Sequence, residues 1–191
     1  MGGGELSART LGYGMLDRDH LTKHLLELAQ RVGVEKVTMR SLAAQAGTSA
    51  SSVYYHVAGK AELLDLLIEA VVNSIEVPTE GEWQDRVVAL YTSAWRVLVT
   101  VPGIAGLLQQ RPHTTAAANM DQATRAILRE SGLSKRTFTA AYALLYVYLL
   151  GSVELEHNRA TRTARGTGRA EATFRDGLQI ILTGLRHADE Q

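Results

Sequence analysis

Apolar residues recur every three or four positions along almost the whole chain, and nowhere do they alternate with the two-residue rhythm of a strand. Leu21, Leu25, Leu28, Ala29 and Val32 predict a first helix, with Asp17 or Asp19 able to cap its start and Gly33 supplying its stop. Thr38 offers the N-cap of a short second helix over residues 39–46, which Gly47 terminates. Thr48 and Ser49 can cap a third helix ending near residue 57. A fourth begins near residue 60 and carries Leu63, Leu64, Leu67, Ile68 and Val71. Pro78 and the polar Thr79-Glu80-Gly81 stretch then mark a boundary. Beyond it the same periodicity predicts helices over about 82–99, 104–110, 114–130, 134–158 and 171–187, with 159–170 as a basic loop carrying Arg159, Arg162, Arg165 and Arg169. Residues 1–16 are glycine-rich without periodicity and read as an arm. The expected fold class is all-α.

Composition changes this picture little but closes off several chemistries. The 191 residues include no cysteine, which removes disulfides, thiolate zinc sites and cysteine nucleophiles together and agrees with a cytoplasmic setting. The Met1-Gly2-Gly3-Gly4-Glu5 start lacks the basic-then-apolar pattern of a signal peptide. The most apolar stretch, 140–153, is shorter than a bilayer span and reads as a buried helix, so no membrane partner is expected. Twenty basic residues balance twenty acidic ones, yet the first 60 residues hold seven of the basic and five of the acidic groups, a surplus of two. That bias permits binding to a polyanion without requiring it.

The segment from Thr38 to Val57 carries the strongest signal. Two short helices that cross steeply need a small residue where their backbones meet, and Ala43 supplies it. The turn needs a residue tolerant of positive φ, and Gly47 follows four positions later. Val53, six positions further on, can bury against the first helix of the pair beside Leu42 and Ala46. The outer face of the second helix carries Ser49, Ser51, Ser52, Tyr54 and His56, short or hydrogen-bonding groups suited to a DNA groove.

Thr38-Met39-Arg40-Ser41-Leu42-Ala43, Ser52-Val53-Tyr54-Tyr55-His56-Val57 and Lys60-Ala61-Glu62-Leu63-Leu64 together resemble the DNA-binding domain of the tetracycline-repressor (TetR) family. The resemblance implies an N-terminal three-helix helix-turn-helix domain over residues 17–75 and a C-terminal helical domain over 76–191 for ligand binding and dimerisation. It implies a homodimer that binds double-stranded DNA, probes an inverted-repeat operator and releases it when a small-molecule effector binds. By position, Thr38 and Arg40 would contact phosphate or base from the scaffold helix. Thr48, Ala50, Ser51, Tyr54 and His56 would lie on the recognition helix, and Lys60 would bind phosphate. Tyr55 is expected to pack inward. The recognition helix has no Asn, Gln or Arg at its middle, so Arg40 and methyl contacts are expected to carry more of the readout.

Candidate effector contacts are Tyr91 and Trp95, four apart on one face, Tyr142 and Tyr146, likewise four apart, and Gln110 and His113 near the short sixth helix. Phe174, Gly177, Leu178, Ile181, Gly184 and Leu185 recur at heptad-like spacing in the last helix, and with Gly151 they predict a dimer seam. The competing reading is an all-α bundle enzyme with a metal or di-iron centre, built on Glu154 and His157 at helical spacing. It lacks a second Glu-x-x-His, and no Gly-x-Ser-x-Gly elbow or phosphate loop is present. Neither catalytic residues, metal ligands nor a cofactor are therefore expected.

Overall fold

A computed structural model describes residues 17–160 and 167–189, so the expected N-terminal arm and the middle of the basic loop, Arg162 and Arg165 included, lie outside the described residues. Among the described residues there are nine α-helices and no strand: α1 (Arg18–Val32), α2 (Met39–Gln45), α3 (Ala50–His56), α4 (Lys60–Val72), α5 (Trp83–Leu98), α6 (Ile104–Gln110), α7 (Thr115–Arg129), α8 (Lys135–Ala160) and α9 (Thr167–Asp189). A single 3-10 turn at Val34–Lys36 joins α1 to α2.

The helix starts follow from local hydrogen bonding. The Asp17 carboxylate accepts from the His20 N–H at 2.7 Å and opens α1. Thr38 and Ser41 close a reciprocal capping box at α2, and the Ser49 hydroxyl accepts from the Ser52 N–H at 3.1 Å to open α3. Between α2 and α3 the chain turns at Gly47, whose φ of +64° lies in the left-handed region, and Thr48 N–H returns to the Ala43 carbonyl at 2.9 Å. Leu42, Ala43, Val53 and Val57 are buried behind this turn together with Leu21 and Leu25 of α1.

The core continues without a break from this N-terminal unit into the rest of the molecule. Three joints connect them. The Val34 N–H donates to the Pro102 carbonyl at 2.9 Å, beside Gly33, whose φ of +80° lies in the left-handed region. Arg111, at the end of α6, grips Asp65 and the Ala61 carbonyl of α4. Lastly, α4 itself packs on α1 at one side and on α5, α6 and α7 at the other.

α8 is long and apolar enough to cross a bilayer by length and composition alone, although its most apolar stretch, 140–153, is shorter than a span. Here it packs one face on its neighbours, burying Ala141, Leu145, Leu149, Leu150 and Val153. Its other face leaves Leu144, Val147 and Leu155 exposed.

The seam of α9 also departs from expectation. Phe174, Leu178 and Leu185 are buried within their own chain, and Phe174 stacks between Trp95 and Tyr148 with ring centroids 5.7 and 5.1 Å away. Gly177 is bare because the Tyr148 ring of the same chain fills the space a Cβ would take. Ile181 is half-buried against the same core. Of the residues expected at a dimer seam, Gly151 and Gly184 are the two that face outward. The heptad-like spacing is satisfied by α5 and α8, two intramolecular partners, so periodicity alone could not tell which helices it served.

Candidate nucleic-acid interface and cavity

The α2–α3 pair is joined to the rest of the molecule through α2, which packs on both α1 and α3. Successive residues of a helix are about 100° apart, so Ser51, Tyr54 and Tyr55 fall within one arc of about 100°, turned away from the buried Val53. Tyr54 is 55% exposed and Tyr55 87%. The inward packing expected of Tyr55 is therefore incorrect: the helix is short, and its inner face is already filled by valines. His56 lies on the flank away from Tyr54, half-buried, with its ring edge-on to Tyr55 at 5.2 Å. Ala50 and Thr48 are half-buried at the turn side.

Arg40 is exposed on α2, and Lys60 is exposed in the first turn of α4. Neither has an acidic partner among the described residues, nor does Lys36 beside the Thr38 cap. Exposed cations without an acidic partner are free to meet a phosphate backbone. Thr38 is exposed too, but its hydroxyl is engaged with Ser41, which in turn donates to the Lys36 carbonyl at 3.1 Å. Its first duty is to the start of α2.

At the other end of α4, helices α4 to α8 enclose a cavity of about 460 Å³. Val72, Ile75, Leu98, Met120 and Leu149 give it apolar walls, while Tyr91, Thr124, Asp121, Tyr142 and Tyr146 supply polar atoms. Tyr91 and Thr124 are buried at its inner end, and Tyr146 is 37% exposed at the outer one. Burial pushes the Tyr91 hydroxyl well above its ordinary value, and burial followed by hydrogen bonding to Asp121 pushes Tyr142 up to about 12. Both phenols are protonated near neutral pH.

Three expected contacts lie elsewhere. Trp95 points away from the cavity and is covered by Phe174. Gln110 and His113 border a separate polar cleft with Asp65, Glu69 and Arg111, because Pro112 takes the cavity side of that loop. Sequence reasoning also missed Asp121, Met120 and Thr124. Their helix has the look of a solvated one, and its Asp121–Arg125 spacing reads as an ordinary surface pair. The Glu154–His157 pairing does not form a metal site: the His157 imidazole Nε2 pairs with the Val99 carbonyl at 2.8 Å, and Glu154 is exposed and accepts from Asn158. Among the described residues no group of three His, Asp or Glu side chains converges.

Residues 21–67 match the tetR family of bacterial regulatory proteins, and residues 77–171 match the tetracyclin repressor-like C-terminal domain. This chain belongs to the tetR family. It is a helix-turn-helix transcriptional regulator, and its relatives are regulators likewise. An HTH-type transcriptional regulator of Saccharopolyspora erythraea is 32% identical to it over 161 residues, covering 83% of this chain and 68% of that one. Among solved structures, ActR of Streptomyces coelicolor in complex with actinorhodin superposes with a TM-score of 0.75 at 22% identity, covering 92% of this chain and 98% of the other. BioQ with its double-stranded DNA operator gives a TM-score of 0.71 at 21% identity, covering 89% and 98%. At these identities the two structures share the tetR-family fold with this regulator.

Proposed function

We propose that this regulator is a repressor that binds an inverted-repeat operator as a homodimer and is released by a small molecule held in the cavity. One observation carries the reading: a single helix, α4, touches both sites. Its first residue, Lys60, belongs to the DNA-facing end, and its last, Val72, is part of the cavity wall. The 12 steps between them span about 18 Å of rigid helix. A ligand that displaces the Val72 end therefore tilts the Lys60 end, and with it α3.

On the DNA side, Arg40, Ser51 and Tyr54 face the duplex, with Thr48, Ala50 and His56 at the edges of the groove contact and Lys60 on phosphate. Thr38 adds its own contribution mainly by fixing α2. On the dimer side, Leu144, Val147, Gly151 and Leu155 of α8 and Ile180 and Gly184 of α9 form an outward apolar stripe in which small residues allow close helix approach. Pairing two such stripes sets two α3 helices about 34–36 Å apart, in successive major grooves. The regulator has no catalytic step of its own, and it acts in the cytoplasm, where duplex DNA lies.

Selection of bound fragments from genomic DNA, followed by footprinting, tests this reading. Two protected half-sites related by a two-fold axis are expected. A single half-site, or binding no tighter than to random duplex, would remove the proposal.

A further inference from the structure

The polar end of the cavity is built from a pair of ionised groups whose charges cancel. Asp121, on the wall, receives the Arg125 Nε at 3.0 and 2.8 Å on its two carboxylate oxygens. Arg125 is not itself on the wall. Its guanidinium carbon lies 4.0 Å from the centroid of the Tyr142 ring, so the cation is held behind the carboxylate and over a phenol face. Thr124, one turn along α7, has already given its hydroxyl hydrogen to the Met120 carbonyl at 3.0 Å. A ligand at this end thus meets the Asp121 carboxylate together with tyrosine hydroxyls and ring faces, and among the described residues no lysine, arginine or histidine lines the wall.

The geometry points to a neutral aromatic ligand that offers a hydroxyl or amide hydrogen to Asp121, with Arg125 keeping the site electroneutral. This rests on the cavity being the effector site. A carboxylate or phosphate ligand would face the ionised Asp121 beside apolar walls, with the Arg125 cation already committed to that carboxylate, which is costly. A protonated amine would be opposed by Arg125 from behind. A neutral donor incurs neither cost, and the apolar walls with Tyr91, Tyr142 and Tyr146 favour ring systems over polar chains. Asp121 is suited to the part: burial pushes its carboxyl up, but hydrogen bonds from Arg125 and Tyr142, and the charges of Arg125 and Arg129, outweigh that and hold it below the ordinary range.

Three phenanthrenes substituted at the same ring position test this with the full chain: the hydroxyl, methoxy and carboxylate forms, their intrinsic fluorescence reporting equilibrium binding. The hydroxyl form is expected to bind about tenfold more tightly than the methoxy form, the order of one buried hydrogen bond to a charged acceptor, and more tightly than the carboxylate. Asp121→Ala removes the acceptor and leaves Arg125 without its partner. The hydroxyl preference should then vanish and the carboxylate should gain about tenfold, inverting the order. Arg125→Ala should keep the hydroxyl preference while weakening the carboxylate further. Equal binding of hydroxyl and carboxylate forms to the wild type, an unchanged order in Asp121→Ala, or no binding of any of the three would overturn the inference. If the hydroxyl form bound in the expected order yet left operator affinity unchanged, the ligand class would stand and the effector reading would fail instead.

Discussion

Arg111 and Asp65 share two hydrogen bonds, 2.6 Å from Nε and 2.8 Å from a terminal nitrogen, that tie the end of α6 to α4. The next residue, Pro112, forms part of the cavity wall, so this fork stands between the cavity and the helix that carries Lys60. Both side chains are partly exposed, so solvent screens the pair and it adds little to stability. Its value is geometric. Arg111→Met should leave operator affinity within about threefold while reducing the drop in that affinity caused by a saturating cavity ligand, measured by fluorescence anisotropy. A full response in the variant would show that the fork transmits nothing.

The same pair sets a pH limit. The Arg111 hydrogen bond holds the Asp65 carboxyl below its ordinary value of 3.8; burial opposes this, and the Arg111 charge adds to the lowering. Because the folded value is the depressed one, the stabilisation is complete above 3.8 and is lost as the pH falls through the lower, folded value. The difference in urea stability between wild type and Asp65→Asn should be flat across neutral pH and shrink only in acid. A difference that instead changed around neutral pH would assign it to another group.

Lys60 and Arg40 predict distinct effects on DNA. Removal of one phosphate contact per protomer by Lys60→Met should weaken all duplexes alike and lower the slope of log affinity against log salt by about two in a dimer. Arg40→Ala should cost operator affinity more than random-duplex affinity if, as proposed, Arg40 faces the bases as well as the backbone. An unchanged salt slope in Lys60→Met would remove that residue from the interface.

Gly47 has φ of +64° with open space where a Cβ would stand, so its requirement is one of backbone conformation and not of room. Gly47→Val should destabilise the head by about 1–2 kcal/mol or more. Gly47→Asn, which tolerates the left-handed region, should recover most of it. Thermal melts and gel shifts on both variants check this; equal losses would point to a steric role.

These residues show how far the sequence could be read. The helices were legible because periodicity and caps act within a few residues, as at Thr38 with Ser41 and at Ser49. The turn was legible because Gly47 answers a local conformational need. What escaped depends on which helix meets which. Trp95 and Tyr91 share a face of α5, yet one meets Phe174 and the other the cavity. Tyr55 looked like packing material, but the inner face of α3 was already occupied. In α9 the apolar stripe was visible and its partner was not.

That last ambiguity yields a paired test. Phe174 is 3% exposed and stacked on both sides within its own chain, so Phe174→Ala should cost each subunit about 3–5 kcal/mol whatever its oligomeric state. Val147, 66% exposed on the opposite face of α8, should behave in reverse. Val147→Glu places a charge in the middle of the proposed dimer stripe while touching nothing buried in its own chain. It should turn the dimer into a monomer by sedimentation, keep the helical content, and abolish tight operator binding by halving the number of phosphates neutralised. If Val147→Glu stayed dimeric and Phe174→Ala dissociated without unfolding, the α9 stripe would be the intersubunit seam after all, and the outward face of α8 would need another partner.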